Sequence, residues 1–226
     1  MNSVPENIGE VLEQVRLAAE KAGRFDSEIE VVAVTKTVPV DKIKLAISAG
    51  MNVLGENRVQ ELVEKYPLLD GDLKWHLIGH LQSNKIKHIT DKVSLIHSLD
   101  SLDLARELHK RMWALGRAMD VLVQVNVSEE ITKHGFRIDD TLEFIDNARH
   151  LQGIRIKGLM TIAPYVSDPE SVRPVFRQLR KLAEEVKTIG FPEVEMRHLS
   201  MGMSNDYKVA IEEGATLIRL GSIIFG

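Results

Sequence analysis

The chain of 226 residues contains no cysteine. Disulfides, thiolate metal sites and a cysteine nucleophile are thereby excluded. No apolar run approaches the roughly 20 residues of a membrane-spanning helix. The opening residues, Met1-Asn2-Ser3-Val4-Pro5, lack the charged and apolar parts of a secretory signal. There is no basic block either. The formal charge is −4 with acids and bases interspersed, which gives no electrostatic footprint for nucleic acid. No linker or low-complexity tract divides the chain. These absences lead us to expect a single domain over residues 1–226, cytoplasmic and independent of membranes and nucleic acid.

What the chain does have is an alternation. Residues 5–23 read as a helix, because Val11, Leu12, Val15, Ala18, Ala19 and Ala22 recur at three- and four-residue spacing before Gly23. Apolar, β-branched runs follow at 30–35, 51–55, 73–79, 93–99, 121–127, 154–162, 196–199 and 215–220. Amphipathic helical stretches separate them. One is expected at 82–89, and another where Asp140 and Glu143 resemble a capping box. Strand-helix alternation of this kind implies a parallel sheet with right-handed crossovers. Eight repeats fit a closed (β/α)8 TIM barrel with an extra N-terminal helix. An open doubly wound sheet is the alternative, since the second and seventh strands are short.

In such a barrel the chemistry sits at the C-terminal ends of the strands. The residues expected there are Lys36, Glu56, Asn57, Arg58, His80, Gln82, Asp100, Asn126, Ser200, Ser204 and Arg219. A polar group at nearly every strand end points to a mouth that binds something polar. Lys36 closes the first apolar strand, where burial of an ammonium is costly. Either it snorkels to solvent, or its neutral form is favoured and can attack an aldehyde. The stretch 200–206 is rich in small residues and opens a helix, and Gly221-Ser222 follows the last strand. Singly, Ser204 is an N-cap and Gly221 a turn glycine. Together they match the phosphate cradle that this fold builds after strands seven and eight. Arg219 is always charged and needs an acceptor, either a carboxylate or an acceptor atom of a bound ring. Lysine, cradle and arginine together specify pyridoxal 5′-phosphate (PLP). The aldehyde would meet Lys36, and the pyridine nitrogen would face Arg219. An arginine there keeps that nitrogen unprotonated and weakens the ring as an electron sink.

Several long motifs carry a family resemblance. They are Ala33-Val34-Thr35-Lys36, Gly55-Glu56-Asn57-Arg58-Val59-Gln60-Glu61 and Trp75-His76-Leu77-Ile78-Gly79-His80-Leu81-Gln82-Ser83-Asn84-Lys85. Further on come Asn126-Val127-Ser128, Lys133-His134-Gly135-Phe136, Gly158-Leu159-Met160-Thr161, Leu199-Ser200-Met201-Gly202-Met203-Ser204-Asn205-Asp206 and Arg219-Leu220-Gly221-Ser222-Ile223-Ile224-Phe225-Gly226. Over its whole length the chain resembles the YggS/PROSC-type pyridoxal-phosphate homeostasis proteins, which share the fold-type III barrel of alanine racemase. The resemblance implies that Lys36 carries PLP as an internal aldimine and that Asn57 lies beside the ring. It also implies that Ser200, Met201, Gly221 and Ser222 hold the phosphate and that Arg219 faces the ring nitrogen. Arg58 departs from the aromatic often found at its position. Lys85 and Lys133 lie in family motifs, either as salt-bridge partners or as way stations for the cofactor.

Fold-type III racemases also carry a β-rich second domain that dimerises and supplies a catalytic tyrosine. This chain stops at Gly226, after the eighth strand. Tyr66, Tyr165 and Tyr207 lie in helix or loop contexts, none an evident second base opposite Lys36. Racemisation needs acid–base groups on both faces of the substrate carbon. The expectation is therefore a monomeric PLP carrier with little or no turnover, with PLP-dependent apo-enzymes as candidate recipients. A PLP-dependent racemase and a phosphate-binding barrel without covalent chemistry are the alternatives. His76 and His80 have helical metal-ligand spacing, but Gly79 interrupts a strand-like context, so no metal site is expected.

Overall fold

In the computed structural model, which describes residues 2–128, 130 and 134–226, eight parallel strands close into a barrel in sequence order. They are β1 (Glu30–Val34), β2 (Val53–Glu56), β3 (Lys74–Leu77), β4 (Val93–Leu99), β5 (Met119–Gln124), β6 (Ile154–Met160), β7 (His198–Met203) and β8 (Leu217–Leu220). The barrel closes through β1 and β8, with Val31 opposite Ile218 and Ala33 opposite Leu220. Parallel strands covered on both faces need apolar residues at nearly every position, and β1 is buried from Val31 through Val34. Alternate side chains point inward. Val32, Val53, Leu95, Leu122, Met160 and Leu217, each from a different strand, pack together as a separate cluster inside the barrel. The larger core lies between the strands and the surrounding helices.

The helices are α1 (Val4–Lys21), α2 (Val40–Ser48), α3 (Val59–Lys65), α4 (Leu102–Ala114), α5 (Ile138–Ala148), α6 (Arg173–Ile189), α7 (Tyr207–Glu212) and α8 (Ser222–Phe225). The extra helix α1 buries Ile8, Val11, Val15, Ala18 and Ala19 and packs on α2, α7 and α8. Asn7 Nδ2 donates to the carbonyl of Ile224 at 3.0 Å, tying the first helix to the last. No helix among the described residues is long and apolar enough to cross a membrane.

Four local expectations change. Residues 83–88 form a 3-10 helix rather than an α-helix, so the β3–β4 connection is tight. In α5 the N-cap is Arg137, and Asp139 and Asp140 lie in the first turn, where a carboxylate complements the helix dipole. Between β8 and Gly226, where no further element was expected, Ser222–Phe225 add a helical turn. The largest shift is in β7, which runs on through Ser200 and Met201 to Met203. Gly202 makes this possible. Its φ is +94°, and a Cβ there would lie 2.6 Å from the Ala210 Cβ. The register with β8 shifts over this stretch. A glycine bend thus lets the strand continue beneath α7.

Candidate functional site

Lys36 lies just beyond β1, exposed, on a turn that the neighbouring strand holds from below. Thr37 takes the left-handed backbone conformation, with φ of 59°. That conformation is unfavourable for a β-branched residue unless its surroundings enforce it. Here they do. The Thr37 N–H donates to Glu61 Oε2 at 2.8 Å, and the Val38 N–H returns to the Thr35 carbonyl at 3.0 Å. Beneath the turn, Lys65 Nζ donates to the Thr35 carbonyl (2.7 Å), to Glu56 Oε1 (2.7 Å) and to Glu61 Oε2 (3.0 Å). The Thr35 hydroxyl donates to the same Glu56 oxygen at 2.7 Å. Glu56 and Thr35 are fully buried. The buried lysine of this site is therefore Lys65. It is paired, and it leaves Lys36 free to project from the mouth.

Arg219 points into the barrel above the apolar cluster and is buried. Its Nη1 donates to the Ser200 hydroxyl, and its Nη2 to the Thr161 carbonyl at 2.8 Å. Ser200 Oγ is also 2.8 Å from His97 Nδ1, and His97 Nε2 is 3.1 Å from His76 Nδ1. Because the guanidinium can only donate, Ser200 accepts from it and keeps both its proton and a second lone pair for His97 Nδ1. Where the hydroxyl donates to Nδ1, a neutral His97 carries its proton on Nε2 and donates it to His76 Nδ1. Burial pushes His76 down to about 3 and His97 well below the usual histidine range, so both rings are neutral at neutral pH. Burial also lowers Arg219 to about 10, still cationic at neutral pH. One positive charge thus sits inside the barrel beside neutral rings, with no carboxylate in hydrogen-bond contact among the described residues.

A cavity of about 600 Å³ opens above Arg219. Lys36, Asn57, Arg219, Gly221 and Ser222 line it together, although they come from the ends of β1, β2 and β8. Ser200 and Met201 do not. Ser200 is fully buried and is spent on Arg219 and His97, while the Met201 side chain packs in the helix-side core. Their place on the wall is taken by Met203, Ser204, Asn205 and Asp206, because β7 continues past the point where a turn was expected. Asp206 is buried, and its carboxylate accepts from the Met203 N–H at 2.6 Å. Burial raises its pKa, with the Arg219 charge acting in the opposite sense. Tyr165, expected in a helix or loop context and not as a second base, reaches the wall from the segment after β6, as does Ile162, while Ile78 reaches it from the end of β3. Lys85 stands outside this cavity, on a smaller one with Asn57, Arg58 and His80. Lys133 lies outside the described residues.

His97 and the Lys65 clamp escape sequence reading. Each sits inside an element whose neighbours are apolar or amphipathic, and only pairing across strands reveals its role. His76 and His80 separate as expected, His76 into the barrel and His80 to the rim.

The alanine racemase N-terminal domain family matches residues 8–226. A curated relative from Aquifex aeolicus (strain VF5), named pyridoxal phosphate homeostasis protein, is 46% identical over 222 residues, 98% of this chain and 96% of that protein. The Escherichia coli (strain K12) protein of the same name is 36% identical, over 100% of this chain and 97% of its own length. Among solved structures, PipY of Synechococcus elongatus PCC7942 with PLP bound is 33% identical. It superposes with a TM-score of 0.86 over 99% of this chain and 100% of that one. The chain therefore belongs to the alanine racemase N-terminal domain family, within its branch of pyridoxal phosphate homeostasis proteins.

Proposed function

We propose that this protein binds PLP at the β1–β8 mouth, covalently through Lys36, and serves to hold and release the cofactor rather than to turn over amino acids. The observation that carries the reading is the shared cavity. A primary amine, a fixed cation and the small-residue turns at 203–206 and 221–222 meet around a space of about 600 Å³. The residues present fit the group. Asn57 sits at the cavity wall with its Oδ1 buried and unpartnered in the protein, an acceptor still to be satisfied. Gly221 lies so close to β1 that a Cβ would be 3.3 Å from the Val34 Cβ, which keeps this wall tight. The amides of Ser222 and Ile223, in the first turn of α8, have no intrahelical acceptor and suit a phosphate.

When bound, PLP supplies an aldehyde that condenses with a primary amine, and a ring whose electron demand depends on its nitrogen. Lys36 is the amine in place, and the Lys65 clamp fixes its turn. Arg219 presents N–H donors and a positive charge, which favours an unprotonated ring nitrogen. The polar chain to His76 has no acidic member to reverse that preference. Relatives named for PLP homeostasis and a PLP-bound PipY structure support the reading.

The test is borohydride reduction of the PLP-loaded protein followed by peptide mass mapping. We expect the phosphopyridoxyl mass on Lys36, and loss of the amine-bound cofactor absorbance in Lys36→Ala. Saturating PLP with no label on Lys36 would sink the assignment. Tyr165 on the cavity wall is the one observation favouring turnover. Solvent-deuterium exchange at Cα of L-alanine, abolished in Tyr165→Phe, would establish an enzyme. We expect no exchange above the free-PLP background.

A further inference from the structure

Beside the cofactor cavity, three elements bring together a second set of groups. His80 follows β3, Asp100 follows β4, and His134 lies in the loop between β5 and α5. The Asp100 side chain is only 6% exposed, while His80 and His134 are 43% and 61% exposed. His80 Nδ1 is 2.7 Å from Asp100 Oδ2, and His134 Nδ1 is 3.6 Å from the same oxygen. The two imidazoles stack with centroids 4.2 Å apart and planes 13° from parallel. One ligand atom from each of the three residues lies within 4.8 Å of the others.

Two imidazole nitrogens and a carboxylate oxygen form a characteristic donor set. With three protein ligands, zinc keeps a fourth position open. Magnesium and calcium prefer all-oxygen shells, so nitrogen ligands select a transition metal. Tetrahedral bonds of about 2.0–2.2 Å place ligand atoms roughly 3.3–3.5 Å apart. The two observed separations from Asp100 bracket that value. Asp100 is the fixed anchor, and the exposed rings can turn about it without disturbing a core. The His80 and His134 rings also border a cavity of about 270 Å³ lined by Asn57, Gln124 and Asn126, which adjoins the PLP cavity through Asn57, Ile78 and Ile162.

We propose that His80, Asp100 and His134 bind one divalent transition metal of the zinc class, with an open coordination position facing the cavity shared with Asn57. The assignment rests on this geometry and not on the cofactor reading. Tag-free, full-length protein, stripped with a chelator, is titrated with zinc chloride against a chromophoric competitor. The expected result is one equivalent bound in the micromolar range or tighter, unaffected by millimolar magnesium. His134→Ala and Asp100→Asn should each weaken binding by at least about tenfold. His134 is exposed and its replacement leaves the core intact, so a folded His134→Ala protein gives a clean readout. No zinc uptake, or uptake unchanged in both variants, overturns the proposal.

Discussion

Lys65 places an ammonium where only 8% of its residue surface remains exposed, against a fully buried Glu56. Such a pair is not in itself a large source of stability, but removal of one member leaves the other charged and unpaired. Lys65→Met should therefore destabilise the protein by about 3–5 kcal/mol, measured by urea unfolding. Adding Glu56→Gln should recover part of the loss. A cost below about 1 kcal/mol for the single variant would show that the network contributes little. The clamp also positions Lys36 through the Thr35 carbonyl and the Thr37 N–H. Folded Lys65→Met protein should accordingly react with PLP more slowly, although Lys36 itself is untouched.

Among the elements, β7 departs furthest from expectation, and Gly202 is the cause. Its backbone conformation excludes most side chains, and the facing Ala210 Cβ and Tyr207 Cα leave no room for one. Gly202→Ala combines an unfavourable φ with overpacking and should cost about 2–4 kcal/mol. It should also displace Met203–Asp206, the cavity wall, and so weaken PLP binding more than an equally destabilising change in α6. Equal losses from the two sites would remove β7 from the design of the pocket. The sequence marks a small-residue stretch here and its proximity to phosphate chemistry. Whether Ser200 or Ser204 faces the cavity depends on where the strand bends, and that depends on α7 packing above it.

At the scale of the whole molecule, two neutral histidines inside the barrel tie stability to pH. The folded-state pKa of His76 is about 3 and that of His97 is also depressed, against about 6.5 in the unfolded chain. Below pH 6.5 the unfolded state binds more protons, so stability falls as pH falls, by up to about 1.4 kcal/mol per pH unit for each ring. The loss should run from about pH 6.5 down towards 3, and it begins well above the carboxylate range. Urea unfolding at pH 7, 6 and 5 should show it, with a shallower slope in His97→Gln. A flat profile across this window would mean that the rings take up protons in the folded protein as readily as in the unfolded chain, against their burial as neutral groups.

The sequence alone determined the barrel and its extra first helix, and it marked Lys36, Asn57, Arg219, Gly221 and Ser222 as candidates, which the fold brings to the wall of one cavity. It could do so because strand periodicity, helix punctuation and strand-end polarity are local signals along the chain. Tertiary structure alone decided that Ser200 supports Arg219 from below, that Lys65 rather than Lys36 is the buried ammonium, and that His80 meets His134 across Asp100. These facts arise from side chains that meet only when separate strands close into one ring. Burial, register and hydrogen-bond partners at such meetings are properties of the closed barrel, and no single stretch of sequence contains them.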